Sequence, residues 1–286
     1  MARVLDRHPG NADGDWYVDT RCIDCSTCRQ LAPEVFEQVV DQSLVVAQPG
    51  SGAALIGAWR AALACPTQSI GTVSRQHRPE GLFPQELDDD VFLCGFNSEH
   101  SFGANSYFVR RPEGNLLVDS PRWTHLLADP IEALGGIDDV FLTHSDDVAD
   151  ASKWAEHFGA RVWIHADDHH AAPFATQVVA GREDTEIRPG LVVVPLPGHT
   201  KGSVAYLLEQ RYLFSGDSLA WSPAGDLAAF RRSCWYSWGE QTASLGRLAE
   251  RHRFSWVLPG HGERHRGEAE DMHRRLVDLL SRMGRR

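Results

Sequence analysis

Residues 191–217 read LVVVPLPGHTKGSVAYLLEQRYLFSGD, and the apolar, strand-like runs in this stretch stop at His199 and again at Asp217. Two other apolar runs end in the same way, and the ligand-type residues after the four runs are His144 with Asp146 and Asp147, His199, Asp217 and His261. Strands are rigid, and glycine lets the backbone approach a bound ion, so residues at strand ends can converge on one edge of a sheet. The sequence therefore predicts a metal site at strand ends.

The region around these runs alternates between strand-like and helical patterns. Strand-like examples are DDVFLTH (138–144), RVWIH (161–165) and SWVLPGH (255–261). Amphipathic stretches that are typical of helices separate them. This alternation predicts the α/β class, with sheet packed against helices.

A linker precedes this region. The segment RQHRPEGLFPQELDDD (75–90) contains two prolines, one glycine and a run of acids, a composition typical of a connecting segment. We therefore predict a first domain over residues 1–75, a linker over 76–90 and a second domain over 91–286.

The first domain holds most of the cysteines. The string RCIDCSTCRQLAPEVF (21–36) contains three of the six cysteines, and Cys65-Pro66 follows later. Three thiolates on one tight loop can each face a different corner of a cube, and a fourth from a distant segment closes it. The spacing predicts an iron-sulfur cluster held by Cys22, Cys25, Cys28 and Cys65, and a structural zinc on the same thiolates is the alternative.

Composition excludes several classes of protein. The chain has 286 residues, of which 42% are hydrophobic and 23% charged, so disorder does not describe it as a whole. The formal net charge is −11 with no basic stripe, and nucleic acid is therefore not an expected partner. No apolar run approaches the roughly 18 residues that span a bilayer, and the first residues lack the apolar core of a secretory signal. We expect a cytoplasmic protein with no membrane partner.

Residues 15–75 resemble a single-cluster bacterial ferredoxin through the cysteine spacing and the closing Cys-Pro. The resemblance implies a small α+β domain. Because Cys25, the second cysteine of the motif, is present, it also implies a 4Fe-4S cluster rather than a three-iron one.

Residues 88–266 resemble the metallo-β-lactamase superfamily, because the strand-end strings occur together in the order of that family. The resemblance implies an αββα sandwich that binds one or two divalent ions at its edge, with zinc or iron as the candidate metals. At matching motifs, His144, His199, Asp217 and His261 fall on ligands, and Asp217 takes the place that bridges two ions.

The first motif departs from the family pattern HxHxDH. This chain reads His144-Ser145-Asp146-Asp147-Val148-Ala149-Asp150. Without a gap, Asp146 replaces the second histidine, while valine and alanine, which cannot ligate, replace the ligands of the second ion. Either the second site is lost, or Asp147 or Asp150 serves it. The alternative for these acids is to cap the helix that runs to Phe158.

A carboxylate in the second position also resembles the HxExDH motif of flavodiiron proteins, and oxygen ligands suit iron better than nitrogen ligands do. Asp119, which ends the run LLVDS, is predicted to orient a ligand histidine. Trp221 and the aromatic-rich stretch CWYSW (234–238) are expected either to form an apolar wall for substrate or to pack against the sandwich.

These residues favour a metal-dependent hydrolase of a small-molecule ester, thioester, lactone or phosphodiester, with Asp147 or Asp150 as general base. An iron-dependent oxidoreductase that receives electrons from the cluster is the first alternative, and it adds a redox protein as candidate partner. A non-catalytic redox-sensing or binding protein is the second alternative.

Overall fold

The computed structural model describes residues 2–50 and 52–284. The chain forms two compact units, one of Met1–Arg110 with Ser120–Gly136 and one of Arg111–Asp119 with Ile137–Arg286. Among the helices within the described ranges, none combines the length and the apolar content that crossing a membrane requires.

The N-terminal part of the first unit is a small α+β fold. Its strands are β1 (Trp16–Val18), β2 (Phe36–Val39), β3 (Gln42–Val45) and β4 (Ile70–Thr72), and its helices are α1 (Thr27–Leu31) and α2 (Ala53–Ala64). β1 pairs with β4 and β2 with β3, both antiparallel. Trp16, Phe36 and Leu44 are buried in its core, which also takes in Cys28 and Cys65.

The remainder of the first unit is a three-stranded antiparallel arrangement and one helix. These elements are β5 (Gln85–Asp88), β6 (Val91–Leu93), β7 (Tyr107–Val109) and α3 (His125–Ala133). Thr124 caps α3, because its side chain accepts a hydrogen bond from the Leu126 N–H at 3.3 Å.

The second unit begins with four parallel strands, which lie side by side in the order in which they follow along the chain. They are β8 (Leu116–Val118), β9 (Asp139–Phe141), β10 (Arg161–His165) and β11 (Gln177–Val179). Helix α4 (Ala151–Phe158) crosses between β9 and β10 and packs on both, with Trp154 completely buried.

The remaining elements of this unit, in chain order, are β12 (Thr185–Arg188), β13 (Leu191–Pro195), β14 (Val204–Leu208), β15 (Tyr212–Gly216), β16 (Ala220–Trp221), β17 (Leu227–Ala228), α5 (Trp238–Arg251), β18 (Trp256–Pro259), β19 (His265–Arg266) and α6 (Ala269–Met283). Six of these strands form a second sheet in the order β12-β13-β14-β15-β18-β19. β15 and β18 are parallel, while the other neighbours run antiparallel.

The two sheets pack face to face with helices outside. The rings of Phe141 and Tyr206 lie 4.9 Å apart between the sheets, and the Tyr206 hydroxyl donates to the Leu142 carbonyl at 2.9 Å. Leu245 of α5 and Leu276 of α6 join the apolar face of the six-stranded sheet in one core. The second unit is therefore an αββα sandwich, and the predicted fold class is confirmed.

Four strands deliver the candidate ligands. His144, His199, Asp217 and His261 follow β9, β13, β15 and β18 within one to four residues of the strand ends. The rigid strands fix where each loop begins, so the side chains that follow need little further chain ordering to meet.

Candidate functional site

The strand ends bring histidines and acids together in two groups. Their members are His144, His199 and Asp217 in the first group and Asp147, Asp217 and His261 in the second. Within each group the ligand atoms all lie within 4.8 Å of one another, and Asp217 belongs to both. The sandwich edge thus offers two adjacent donor sets that share one carboxylate.

Three imidazoles surround the Asp217 carboxylate. Its Oδ2 lies 3.8 Å from Nε2 of His144, 3.6 Å from Nε2 of His199 and 2.9 Å from Nδ1 of His261. Burial alone would raise the pKa of Asp217, but the facing histidines hold it well below its usual range. Asp217 is therefore ionised.

Asp146 adds a carboxylate beside the first group. Its Oδ2 lies 3.3 Å from Nε2 of His199, and its Oδ1 accepts a hydrogen bond from the Ser145 hydroxyl at 2.8 Å. The hydrogen bond with His199 is the main reason that the pKa of Asp146 falls to about 2. Burial opposes protonation of His199, but the hydrogen bond and the charge of Asp217 outweigh it and raise the pKa of His199.

Asp147 is buried, and within residues 2–50 and 52–284 no group donates a hydrogen bond to its carboxylate. Both of its carboxylate oxygens lack a hydrogen-bond partner among the described groups, and its nearer oxygen lies 3.9 Å from Nε2 of His144. Burial and the charge of Asp217 raise the pKa of Asp147 well above its usual range. A buried, unsatisfied carboxylate costs free energy that a bound cation removes, so this position fits a metal ligand.

His144 is likewise prepared for a metal. Burial lowers its pKa to about 4, so the ring is neutral at pH 7, and its Nε2 has no hydrogen-bond partner among the described residues. The hydroxyl of Thr143 lies 2.9 Å from the other ring nitrogen, Nδ1. A neutral imidazole with one nitrogen tethered and the other open is the form that ligates metals.

Asp119 holds this arrangement from behind. Its carboxylate accepts the Thr143 N–H at 2.8 Å and the Thr143 hydroxyl at 2.9 Å. The predicted influence of Asp119 on a ligand histidine thus runs through Thr143. Burial raises the pKa of Asp119 to about 7.

Gly260 allows the two acids to approach each other. A Cβ at this position would lie 2.7 Å from Oδ2 of Asp147 and 2.8 Å from Oδ1 of Asp217, closer than real Cβ atoms come. The glycine before His261 is therefore required by packing at the donor set.

Asp150 lies outside both groups. It is the residue before α4, where its side chain makes no capping hydrogen bond, and its Oδ1 pairs with Nζ of Lys153 at 2.8 Å. The structure thus brings together His144, His199, Asp217, His261 and Asp147, with Asp146 beside His199, and leaves Asp150 at the start of α4.

Two aromatic residues of this segment differ in their exposure to solvent. Trp221 is buried and stacks on His265 with ring centres 3.5 Å apart. Trp235, in contrast, is 67% exposed, and its backbone N–H donates to the carbonyl of His199 at 2.9 Å. Its indole lies beside a candidate ligand and is available to a bound molecule.

Two residues of interest escape sequence reasoning. Asp168, on the short 3-10 helix Ala166–Ala171 after β10, is buried and accepts hydrogen bonds from the loops of His144 and His199. Its position directly after a strand that ends at the same sheet edge is the one signal that could have identified it. Arg122 donates to the carbonyls of Cys65 at 2.9 Å and Leu63 at 2.7 Å, and no local pattern indicates these long-range backbone contacts.

In the first unit the four predicted cluster cysteines line one cavity, whose apolar walls include Val18 and Ile70. Backbone N–H groups point at two of the sulfurs, from Ser43 to Cys22 at 3.4 Å and from Ser69 to Cys65 at 3.2 Å.

Burial raises the pKa of the thiols of Cys22, Cys25 and Cys28. Thiolates here need a nearby positive charge, which the iron of a cluster supplies. Together with the N–H groups aimed at sulfur, this makes the pocket a fit for a cluster.

Two family models match the chain. The model described as the metallo-β-lactamase superfamily matches residues 88–280, more than half of the sequence. The model described as the 4Fe-4S single cluster domain of ferredoxin I matches residues 18–72. The two matched ranges contain the donor groups and the cysteine pocket respectively.

Individual relatives are more distant. Hydroxyacylglutathione hydrolase of Shewanella pealeana is 29% identical over 146 residues, 48% of this chain and 52% of the relative. The uncharacterised protein YmaE of Bacillus subtilis is 29% identical over 118 residues, 40% of this chain and 43% of the relative. The chain spans about half the length of the curated relatives it matches.

Among solved structures, the mono-zinc form of the metallo-β-lactamase FIM-1 from Pseudomonas aeruginosa has a TM-score of 0.53 at 18% identity. The matched region covers 69% of this chain and 93% of the FIM-1 chain. This likeness shows the fold. Because the family match over residues 88–280 takes in every strand that delivers a donor, the chain belongs to the metallo-β-lactamase superfamily, with a single-cluster ferredoxin domain at its N-terminus.

Proposed function

We propose that the chain is a metal-dependent hydrolase with two adjacent ion sites. The first ion would be held by His144, Asp146 and His199, the second by Asp147 and His261, and both by Asp217. In the family pattern HxHxDH, the positions of Val148 and Ala149 provide ligands to the second ion. In this assignment Asp147 is a ligand of that ion instead.

The observation that carries the proposal is the buried Asp147 carboxylate. It faces Asp217 and His261 with neither oxygen hydrogen-bonded to a described group. A structural aspartate would have a donor, because buried polar groups are almost always satisfied. A cation held by Asp147 and Asp217 would account for both the burial and the missing donor.

Divalent metal at such a site lowers the pKa of bound water toward neutrality and polarises a substrate carbonyl or phosphoryl oxygen. The chain's own residues then orient the donors. Thr143 and Asp119 fix the ring of His144, and Asp146 remains ionised beside His199. Asp150 is not assigned as a base, because its carboxylate is paired with Lys153.

A thioester is the substrate class to test first. The relative from Shewanella pealeana is named a hydroxyacylglutathione hydrolase, and that name supports an acyl thioester over a phosphodiester. The exposed indole of Trp235 beside His199 offers an apolar surface to an acyl group. Assaying the purified protein against thioester, ester, lactone and phosphodiester panels tests this, and turnover confined to phosphodiesters contradicts the thioester assignment.

An iron-dependent oxidoreductase is the second candidate function. Three carboxylates among six donors suit iron better than an all-histidine set, and the cysteine pocket fits an electron-carrying cluster. Metal analysis after anaerobic purification separates the two functions. About four irons with zinc supports the hydrolase, while about five or six irons without zinc supports the oxidoreductase.

A further inference from the structure

Asp168 joins the two loops that carry the first donor group. It is 2% exposed and lies on the turn after β10, outside the metal-ligand candidates. Its Oδ2 accepts the Ser145 N–H at 2.9 Å and the Thr200 hydroxyl at 2.5 Å, and its Oδ1 accepts the Gly202 N–H at 3.0 Å.

Each of these donors sits close to a candidate ligand. Ser145 directly follows His144, and Thr200 directly follows His199. One carboxylate therefore fixes the separation of two imidazoles that come from loops 55 residues apart in the numbering, His144 and His199. We infer that Asp168 is a positioning residue for the metal centre, an inference that rests on the proposed function.

The carboxylate of Asp168 accepts its hydrogen bonds from these loops. The nearby ammonium of Lys201 pairs with Asp167 at 2.7 Å, and the bonds to Asp168 come from backbone N–H groups and a hydroxyl. Such charge-assisted bonds are stronger than neutral ones. Gly202 packs against the carboxylate, since a Cβ there would lie 2.6 Å from Cγ of Asp168.

The fold has its own connection between the same loops. The Val204 N–H donates to the Thr143 carbonyl at 2.9 Å, independently of Asp168. Loss of the carboxylate should therefore loosen the two imidazoles while β9 and β14 stay in place. A weaker metal site in a folded protein is the specific expectation.

Four substitutions test this. Asp168→Asn keeps the shape of the side chain but replaces one acceptor oxygen with a donor. Thr200→Val removes the hydroxyl that donates a hydrogen bond to Asp168. Thr200→Ser retains that hydroxyl. Asp139→Asn is the matched control, because Asp139 is an equally buried acid of the same unit that binds Arg161 and Arg188 instead of a ligand loop.

The measurement is the Zn²⁺ dissociation constant of the full-length, cluster-loaded protein after chelation, from competition with a chromophoric chelator. Zinc is a suitable probe for either resident metal, because it binds nitrogen and oxygen sites more tightly than Fe²⁺. The zinc that His144→Ala binds is the background from other positions on the chain, and it is subtracted.

We expect affinity to fall about 10- to 100-fold in Asp168→Asn and Thr200→Val, and to stay near wild type in Thr200→Ser and Asp139→Asn. Wild-type affinity in Thr200→Val, or equal losses in Thr200→Ser and Thr200→Val, overturns the inference even if Asp168→Asn fails to fold. If wild type binds no more zinc than His144→Ala, the metal centre itself is wrong, and the role of Asp168 falls with it.

Discussion

Nδ1 of His261 lies 2.9 Å from both carboxylate oxygens of Asp217, so the last strand end and the third one meet at a single acid. Asp217 belongs to two donor groups, one with His261 and Asp147 and the other with His144 and His199. The proposed two-ion site depends on that division.

Asp147 should be required for binding of the second ion. In Asp147→Asn, metal content is expected to fall from about two ions to about one, because an amide is a poorer ligand than a carboxylate. Asp150→Asn, which removes the pairing with Lys153 outside both donor groups, should retain both ions. Elemental analysis of the two variants measures this, and equal metal content in Asp147→Asn and wild type would contradict the assignment.

In the metal-free protein, Asp147→Asn should increase the stability of the fold. Because the folded-state pKa of Asp147 is raised, its ionisation costs stability as pH rises above the ordinary carboxyl value. At pH 7, chelated Asp147→Asn is expected to melt about 2 °C or more above chelated wild type. Adding zinc should reverse this order. A wild type that melts higher in both states indicates that Asp147 has a structural partner instead.

Chelation should separate the two cofactor sites. A chelator of divalent metal ions is expected to abolish hydrolysis, because it removes the ions held by the carboxylates and histidines. The visible absorption of the cluster should persist. Added zinc should restore turnover. The account is wrong on this point if hydrolysis continues at full rate in the chelated protein.

Arg122 should raise the reduction potential of the cluster. Its guanidinium donates to the carbonyl of Cys65, and a nearby positive charge favours the more negative, reduced cluster. Arg122→Gln is expected to lower the potential by roughly 20 to 60 mV in an EPR-monitored titration.

The control is Arg110→Gln in the same unit. Arg110 is half exposed and pairs with Asp90, so its charge is already balanced in solvent. A change of potential in this control as large as that in Arg122→Gln would remove the specific role of Arg122.

Sequence reasoning reached the fold and most of the candidate site for a clear reason. The donors His199, Asp217 and His261 each come within four residues of a strand end, and a strand end restricts where the following residues can lie. The cysteine spacing was equally local. Patterns of this kind are visible in a single stretch of chain.

The acids after His144 could not be placed in this way. The loop between β9 and α4 is irregular, with Ala149 in the left-handed region at φ of 38°, and it holds the buried Asp147, while Asp150 lies directly before the helix. Hydrophobic periodicity carries no information about such a turn. The hydrogen bonds of Asp168 and Arg122 cannot be predicted from a local pattern, because most of their partners are backbone groups of distant segments; for Asp168 the one signal is its place after β10.

Anomalous X-ray scattering at the iron and zinc edges, from crystals grown without oxygen, tests the central claim most directly. The account predicts metal peaks between His144, His199 and Asp217 and between Asp147, Asp217 and His261, together with an iron cluster at the four cysteines. Crystals of active protein in which no metal peak lies within bonding distance of Asp217 would contradict it.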